Sequence, residues 1–317
     1  MPSKRTRATA FAPATVANVA VGFDILGFAL DKIGDEITVE RLNDRPKGSP
    51  IIIEEITGSE IPLPLDAKLN VATAGLLELL DDQNLHYGFR VWIKKGIPIA
   101  SGMGGSAASA VGALVAANSL LDSPLSKKEL LKYAMIGEAL ASGTGHADNI
   151  APCLYGGLTL VRETNPLDIL SIPVPKRIVC VLVHPHLRLE TRKSRAALSS
   201  EITLKQHVKQ SANFGAFLVG CFQENLELIA LSLKDILIEP QRASLIQGFT
   251  AAKEAALKAG ALGASISGSG PSVFAWVSSK ETGQKVARAL TDSFQSSGTY
   301  ADAWISPINL EGAKLLL

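Results

Sequence analysis

From Gly96 to Leu121 the chain carries no charged residue. A run of that length outlasts the roughly 20 residues that cross a bilayer, yet its make-up points elsewhere. The first half is dense in glycine and serine, and the second leans on alanine. Ala107, Ala108, Val111, Leu114, Val115 and Asn118 fall at the i, i+3, i+4, i+7 spacing of a helix face. The reading is a tight loop feeding a helix buried in a protein core.

Such a loop has chemistry. Glycines let backbone approach a ligand closely, and the first-turn amides of a helix point outward unpaired. With the helix dipole of roughly half a positive charge, they form a site for phosphate. The candidate phosphate-binding residues are therefore Pro98, Ile99, Ala100, Ser101, Gly102, Met103, Gly104, Gly105, Ser106, Ala107 and Ala108. Ser106 stands at the helix entrance, where its hydroxyl can meet a metal held on the phosphates. No lysine follows the glycines, so this is not a Walker loop. Gly102, Gly104 and Ala107, with Asp122 further on, do match the dinucleotide pattern. In that fold, however, the acidic residue ends a second strand. Here Asp122 follows the helix directly and Pro98 parts the loop from its strand, so the dehydrogenase reading loses.

The whole 317-residue sequence narrows the class. Its length suits one large domain or two ordinary ones. Thirty-one basic residues balance 30 acidic ones, with no run of like charge, which argues against a nucleic-acid partner. Anions must be bound locally, by a few placed groups. Three scattered cysteines suit a reducing, cytoplasmic compartment, and without CxxC or HExxH a protein-built zinc site is not expected. The basic start, Met1 to Arg7, before apolar Phe11 to Phe23 superficially resembles a signal peptide, but Pro13, Asn18 and Asp24 interrupt it. No membrane partner is expected.

Periodicity predicts strands over 35–42, 51–56, 87–94, 178–183, 264–267, 272–277 and 301–305. Helices are predicted over 70–80, from Ser126 to a stop at Gly143, over 244–258 and over 284–294. Ser126 and Glu129 have capping-box spacing. The least regular zone, 164–176, holds three prolines and is a plausible boundary between two α+β domains, 1–165 and 166–317.

Three further segments complete an ordered set: Pro13-Ala-Thr-Val-Ala-Asn-Val-Ala-Val-Gly-Phe-Asp24, Ser142-Gly-Thr-Gly-His-Ala-Asp-Asn-Ile-Ala-Pro152 and Ser265-Ile-Ser-Gly-Ser-Gly-Pro-Ser-Val-Phe-Ala275. With the glycine-rich loop they resemble the motifs of the GHMP kinase superfamily. The first motif and the His-Ala-Asp-Asn segment are similar to those of the homoserine kinase family. The resemblance runs from residue 13 to 275. One departure stands out: the family's loop commonly reads Gly-Leu-Gly-Ser-Ser, and here it is Gly-Met-Gly-Gly-Ser, so Gly105 lacks a hydroxyl.

The resemblance implies a two-domain α+β fold, with a left-handed β-α-β unit in the amino-terminal, ATP-binding domain and a ferredoxin-like carboxy-terminal domain. ATP and homoserine would lie between them. It implies Mg2+ on Ser106 and Glu138, and a homodimer. Asn18 and Asp24 would meet the substrate ammonium, and Arg195 and Arg242 its carboxylate. His146 would line the substrate pocket and Asn149 hydrogen-bond the attacking hydroxyl, with Asn149 and Arg195 the residues closest to the chemistry. Asp148 is a poor choice for general base, because the family is thought to lack the catalytic aspartate of some relatives. From the residues alone, a kinase of the same superfamily acting on mevalonate or a sugar remains open. So does a non-catalytic regulator that binds a metabolite.

Overall fold

A computed structural model of the chain describes residues 5–143 and 146–316. Thr144 and Gly145, inside the motif that begins at Ser142, lie outside the described residues, as do Met1 to Lys4.

In chain order the amino-terminal half runs β1 (Arg7–Ala17), β2 (Leu26–Arg41), β3 (Ile51–Thr57), α1 (Val71–Asp82), β4 (Phe89–Lys94), α2 (Gly105–Asn118), α3 (Lys127–Ser142), α4 (Ala147–Tyr155), β5 (Leu158–Thr164) and β6 (Leu167–Ile172). The remainder runs β7 (Val179–Pro185), α5 (Thr191–Ala196), α6 (Leu204–Phe222), α7 (Leu226–Ser232), α8 (Glu239–Arg242), α9 (Phe249–Lys258), β8 (Gly263–Ile266), β9 (Val273–Val277), α10 (Lys280–Ser296), β10 (Ala301–Pro307) and β11 (Lys314–Leu316).

The first sheet is ordered β11-β1-β2-β4-β3, with β5 and β6 added beside the start of β2. Long β2 serves two partners: Leu26 to Phe28 pair with β5, and Glu36 to Arg41 with β4. Among the described residues the one parallel pair is β3–β4, and α1 lies between them in sequence, so β3-α1-β4 is the β-α-β unit. The second sheet, β10-β7-β9-β8, is antiparallel throughout. Numbered by their own sequence, these strands run 4-1-3-2, with α9 before β8 and α10 before β10, which is the ferredoxin-like order.

Local signals explain the elements that frame the cleft. The Ser126 and Glu129 side chains cap one another's backbone at the start of α3, and Gly143 ends it in the left-handed conformation. Asn70 caps α1 by accepting from the Ala72 amide. Almost all of α2 is buried, and it packs on β1, β2, α1 and α3. That burial accounts for its missing charges. Among the described residues no helix is long and apolar enough to cross a membrane.

Strand β6, on the far side of the boundary expected at 165/166, hydrogen-bonds to β5 in the first sheet. The change of sheet falls between Ile172 and Val179. After β10 the chain also returns, and β11 pairs with β1. Three residues cannot signal such a return, because so short a strand has no readable period.

Strands β7, β8 and β9 of the second sheet are buried on both faces, and their side chains sort by the period of two. Val273, Ala275 and Val277 of β9, with Val181 and Val183 of β7, pack with Phe249, Leu290 and Phe294 of α9 and α10. Phe274 and Trp276, with Cys180 and Leu182, face the other way into the main core. There Phe28 of β2 meets Phe274 at 5.9 Å and Trp276 at 5.6 Å, and Phe217 of α6 meets Trp276 at 5.4 Å. Tilted and edge contacts of this kind add about 0.5–1.5 kcal/mol each beyond burial. They join the two sheets beneath the cleft. Phe28→Ala is expected to lower the unfolding free energy by about 3–5 kcal/mol, measured by urea denaturation. A loss below about 1 kcal/mol would mean this contact does not join the halves.

Candidate active site

Between the sheets lies a cleft of about 260 Å³. One wall is the glycine-rich loop. Gly102 and Gly104 have φ of 76° and 69°, and Ala100 has 54°. These left-handed values are cheap only for glycine. The first α2 bond to form is Ala108 N–H to the Gly104 carbonyl, and no side chain caps the helix. Gly104, Gly105, Ser106 and Ala107 line the cleft at that open end. Pro98, Ile99, Ala100, Ser101 and Gly102 line it as well. Met103 and Ala108 do not; both side chains are fully buried in the core. Asp122 is elsewhere, paired with Arg41 at 2.8 Å on the surface.

The late hairpin grips this loop. Ser267 Oγ donates to the Gly102 carbonyl at 2.7 Å. A Cβ at Gly102 would sit 2.5 Å from the Ser267 carbonyl oxygen and 2.6 Å from that of Gly270. At Gly104 a Cβ would reach 2.0 Å from Thr15 Oγ1. Thr15, in β1, donates to Asn149 Oδ1 at 2.7 Å, and its amide donates to the Met103 carbonyl at 3.0 Å. Thr15 therefore fixes the loop and the Asn149 amide together.

Across the cleft stand the charged residues. Arg195, on α5, holds Asp24 in a two-pronged contact of 2.7 and 3.1 Å. His146 Nδ1 is 3.9 Å from Asp24. Burial and the Arg195 charge hold the His146 imidazole below its ordinary pKa, against the pull of Asp24. Asn18 Nδ2 donates to the Gly268 carbonyl at 2.8 Å, and Asn18 Oδ1 accepts from the Asp24 amide at 3.0 Å. Arg242 is 2% exposed, and donates to the carbonyls of Gly268 at 3.0 Å and Ser194 at 3.3 Å. Among the described residues it has no ion pair. Burial and its neighbour Arg195 push its pKa down to about 10, so it stays charged at neutral pH. Both guanidinium groups lie over the Phe23 ring, at 5.5 and 5.3 Å.

Asp148 also lines the cleft and is 3% exposed. Burial, then the nearby Asp24 charge, raises its pKa to about 7. Ser106 and half-buried Glu138 line the same space. The structure thus brings together Asn18, Asp24, His146, Asn149, Arg195, Arg242, Ser106 and Glu138.

Other residues of the site are not visible as motifs. Leu63, Pro64, Leu69, Asn70 and Val71 form a largely apolar end of the cleft. Asn70 Nδ2 donates to the Pro64 carbonyl at 2.7 Å, so the helix cap also pins this segment. Thr15 and Phe23 sit within the first motif, where only Asn18 and Asp24 bear obvious function. Lys95 and Ser109 line the cleft floor beside buried Asp35. A lysine ending a strand gave no signal, but its place just before the charge-free run could have.

Two family models match the chain. The GHMP kinases N terminal domain matches residues 70–157, and the GHMP kinases C terminal domain matches 213–296. A homoserine kinase of Xylella fastidiosa is 48% identical over 98% of this chain and 94% of that protein. One of Chlorobium phaeovibrioides is 45% identical over 96% and 98%. The crystal structure of a homoserine kinase from Cytophaga hutchinsonii superposes with a TM-score of 0.95, at 42% identity over 100% of this chain and 99% of that one. Mevalonate kinase of L. major, at 16% identity and TM-score 0.72, shares the fold alone. The fold and cleft are those of a GHMP kinase. Within that superfamily the chain belongs to the homoserine kinase family.

Ser101 Oγ is buried beside the cleft with no hydrogen-bond partner among the described residues. An orphaned hydroxyl costs about 1–3 kcal/mol. Ser101→Ala is therefore expected to raise thermal stability of the ligand-free protein while weakening nucleotide binding several-fold, read by calorimetry. A loss of stability would show that the hydroxyl already has a partner.

Asp148 sets a pH dependence. Between about pH 4 and 7 the native carboxyl keeps a proton that the unfolded one has released. Stability therefore falls as pH rises through that window, by roughly 3–5 kcal/mol in all. Asp148→Asn should remove that slope: denaturation at pH 8 should find the variant more stable than wild type, and at pH 4 nearly equal to it.

Proposed function

We infer that the chain catalyses ATP-dependent phosphorylation of the L-homoserine hydroxyl, giving O-phospho-L-homoserine, a step of threonine biosynthesis. Membership of the homoserine kinase family supports the reaction. The observation that carries the substrate reading is Arg242: a buried cation with no ion pair among the described residues, in one cleft with the Asp24–Arg195 pair and the open end of α2. A buried charge that lacks a counter-ion is costly, and a bound carboxylate would supply one.

On this reading the triphosphate lies along the amides of Gly104 to Ala107, and the adenine takes the apolar end at Leu63 to Val71. The homoserine ammonium goes to Asp24, aided by Asn18, and the carboxylate to Arg195 and Arg242. Thr15 holds the Asn149 carbonyl oxygen, which orients the Asn149 amide nitrogen toward the substrate hydroxyl. His146, uncharged at neutral pH, lines the pocket without repelling the ammonium. Transfer is in line through a loose transition state, so positioning and charge stabilisation carry most of the acceleration. No strong base is needed, and none is assigned to Asp148.

Magnesium fits the cleft through Ser106 and Glu138, one hydroxyl and one carboxylate oxygen. Among the described residues no three His, Cys, Asp or Glu side chains cluster to hold a metal alone. Mg2+ commonly binds with few protein ligands, the rest coming from phosphates and water. When bound it supplies charge neutralisation to the phosphate oxygens. A homodimer and a cytoplasmic location belong to the same proposal.

A coupled ADP-release assay across homoserine, mevalonate and galactose tests the substrate; faster turnover of either of the last two would overturn it. In the same assay Arg195→Ala should raise the homoserine KM roughly 100-fold, since charge-assisted bonds contribute about 1.5–3 kcal/mol each. The ATP KM should stay within about 2-fold. Equal damage to both ligands would make Arg195 a structural residue.

A further inference from the structure

Beneath the glycine-rich loop lies a buried ion pair that the reaction as described leaves unused. Lys95 closes the segment after β4, and its side chain is 4% exposed; that of Asp35, in β2, is 0% exposed. Every hydrogen of the ammonium has a partner. One goes to Asp35 Oδ2, one to the Gly105 carbonyl at 3.0 Å and one to Ser109 Oγ at 2.8 Å. The carboxylate is equally well served. Its Oδ1 accepts from the Gly96 and Ile97 amides at 3.0 and 3.2 Å, and Ser109 Oγ donates to Oδ2 at 2.8 Å.

Five points of contact on three pieces of chain meet here: β2, the entry to the loop at Gly96 and Ile97, and the first turns of α2 at Gly105 and Ser109. Hydrophobic packing alone fixes a helix poorly along its own axis. Directional bonds from a buried charge fix it better, because each has a preferred length and angle. Space is also limited. A Cβ at Gly105 would stand 3.2 Å from Ile97 Cγ2 and 3.7 Å from Lys95 Nζ.

We propose that Lys95, held by Asp35 and Ser109, is a positioning residue that sets the height and rotation of the α2 amino terminus for the nucleotide phosphates. The proposal rests on the kinase reading and deepens it. Asp35 cancels the ammonium charge at contact distance, so attraction of phosphate by a free cation is not the role. The two possibilities differ in sign. If Lys95 acted by charge, removing Asp35 would tighten nucleotide binding. If it acts by position, removing Asp35 weakens it.

The test is ADP binding by isothermal titration, with homoserine KM measured in parallel. Asp35→Asn should weaken ADP binding at least 5-fold. Lys95→Met leaves Asp35 buried without its partner and is expected to fold poorly, so the double variant Asp35→Asn/Lys95→Met, with neither charge, is the deciding protein. It should bind ADP about 10-fold more weakly than wild type, while the homoserine KM changes less than 2-fold. Ser109→Ala, which removes one bridge and no charge, should weaken ADP binding about 3-fold, and it decides the matter if the double variant does not fold. Wild-type affinity for ADP in a folded double variant or in Ser109→Ala would overturn the proposal. So would tighter binding by Asp35→Asn, or equal losses for both substrates. Failure of wild-type protein to phosphorylate homoserine would instead sink the kinase reading, and the ADP comparison would still judge the positioning role.

Discussion

Three loops from distant parts of the chain meet in this molecule with almost no side chain between them, and the site depends on that meeting. Gly102 rests on the carbonyls of Ser267 and Gly270, closer than any Cβ would permit. The Gly268 amide donates to the Ala17 carbonyl at 3.2 Å, and the Gly268 carbonyl accepts from both Asn18 and Arg242. Backbone in direct contact tolerates little slack, since each unmet amide or carbonyl would cost as much as a lost hydrogen bond. The two domains are therefore held in register at the cleft itself, with the aromatic contacts of Phe28, Phe274 and Trp276 below.

Strain is concentrated at the same seam. Asn18, Val19 and Ala20 take φ of 69°, 44° and 58° in succession, and Asp24 takes 61°. For a β-branched residue such as Val19 this is a genuine outlier, and each non-glycine residue so placed costs roughly 1–2 kcal/mol. Val19 and Ala20 are buried, and Asn18 is tied on both sides. The surrounding packing over-determines the turn. What the strain achieves is visible: it brings Phe23 and Asp24 back toward α5 and α8, whose Arg195 and Arg242 guanidinium groups lie over the ring.

The sequence made some of this legible for specific reasons. The charge-free run, the Ser126 capping box and the alternation over 35–41 in β2 are local patterns, and local patterns survive into structure when burial agrees with them. The ordered motifs pointed to Asn18, Asp24, His146 and Asn149, the family resemblance added Arg195 and Arg242 outside them, and the fold gathers all six. What stayed hidden is non-local or has no period. Strand β11 is too short to read. The apolar segment from Leu63 to Val71 looks like any proline-bearing loop. Thr15, Lys95 and Asp35 carry ordinary residue types whose importance comes only from what the fold sets beside them. Asp122 is the converse, a residue at suggestive spacing that the fold places in a surface ion pair.

The Asp24–Arg195 pair explains how such a cleft would select a dipolar substrate under the proposed function. In the ligand-free protein each group satisfies the other. An amino acid carrying both an ammonium and a carboxylate exchanges that one contact for two of the same kind, and leaves the net charge of the cleft unchanged. The contact given up offsets part of the gross interaction energy, so the net gain is smaller than the new contacts alone would give. A ligand with only a carboxylate would draw Arg195 away and strand Asp24 beside Asp148, whose ionisation the Asp24 charge already opposes. A sugar would compensate neither group. Selectivity in this arrangement comes from the penalty on the wrong ligand, as expected when buried polar groups are left unpaired, and the right ligand gains specificity more than affinity.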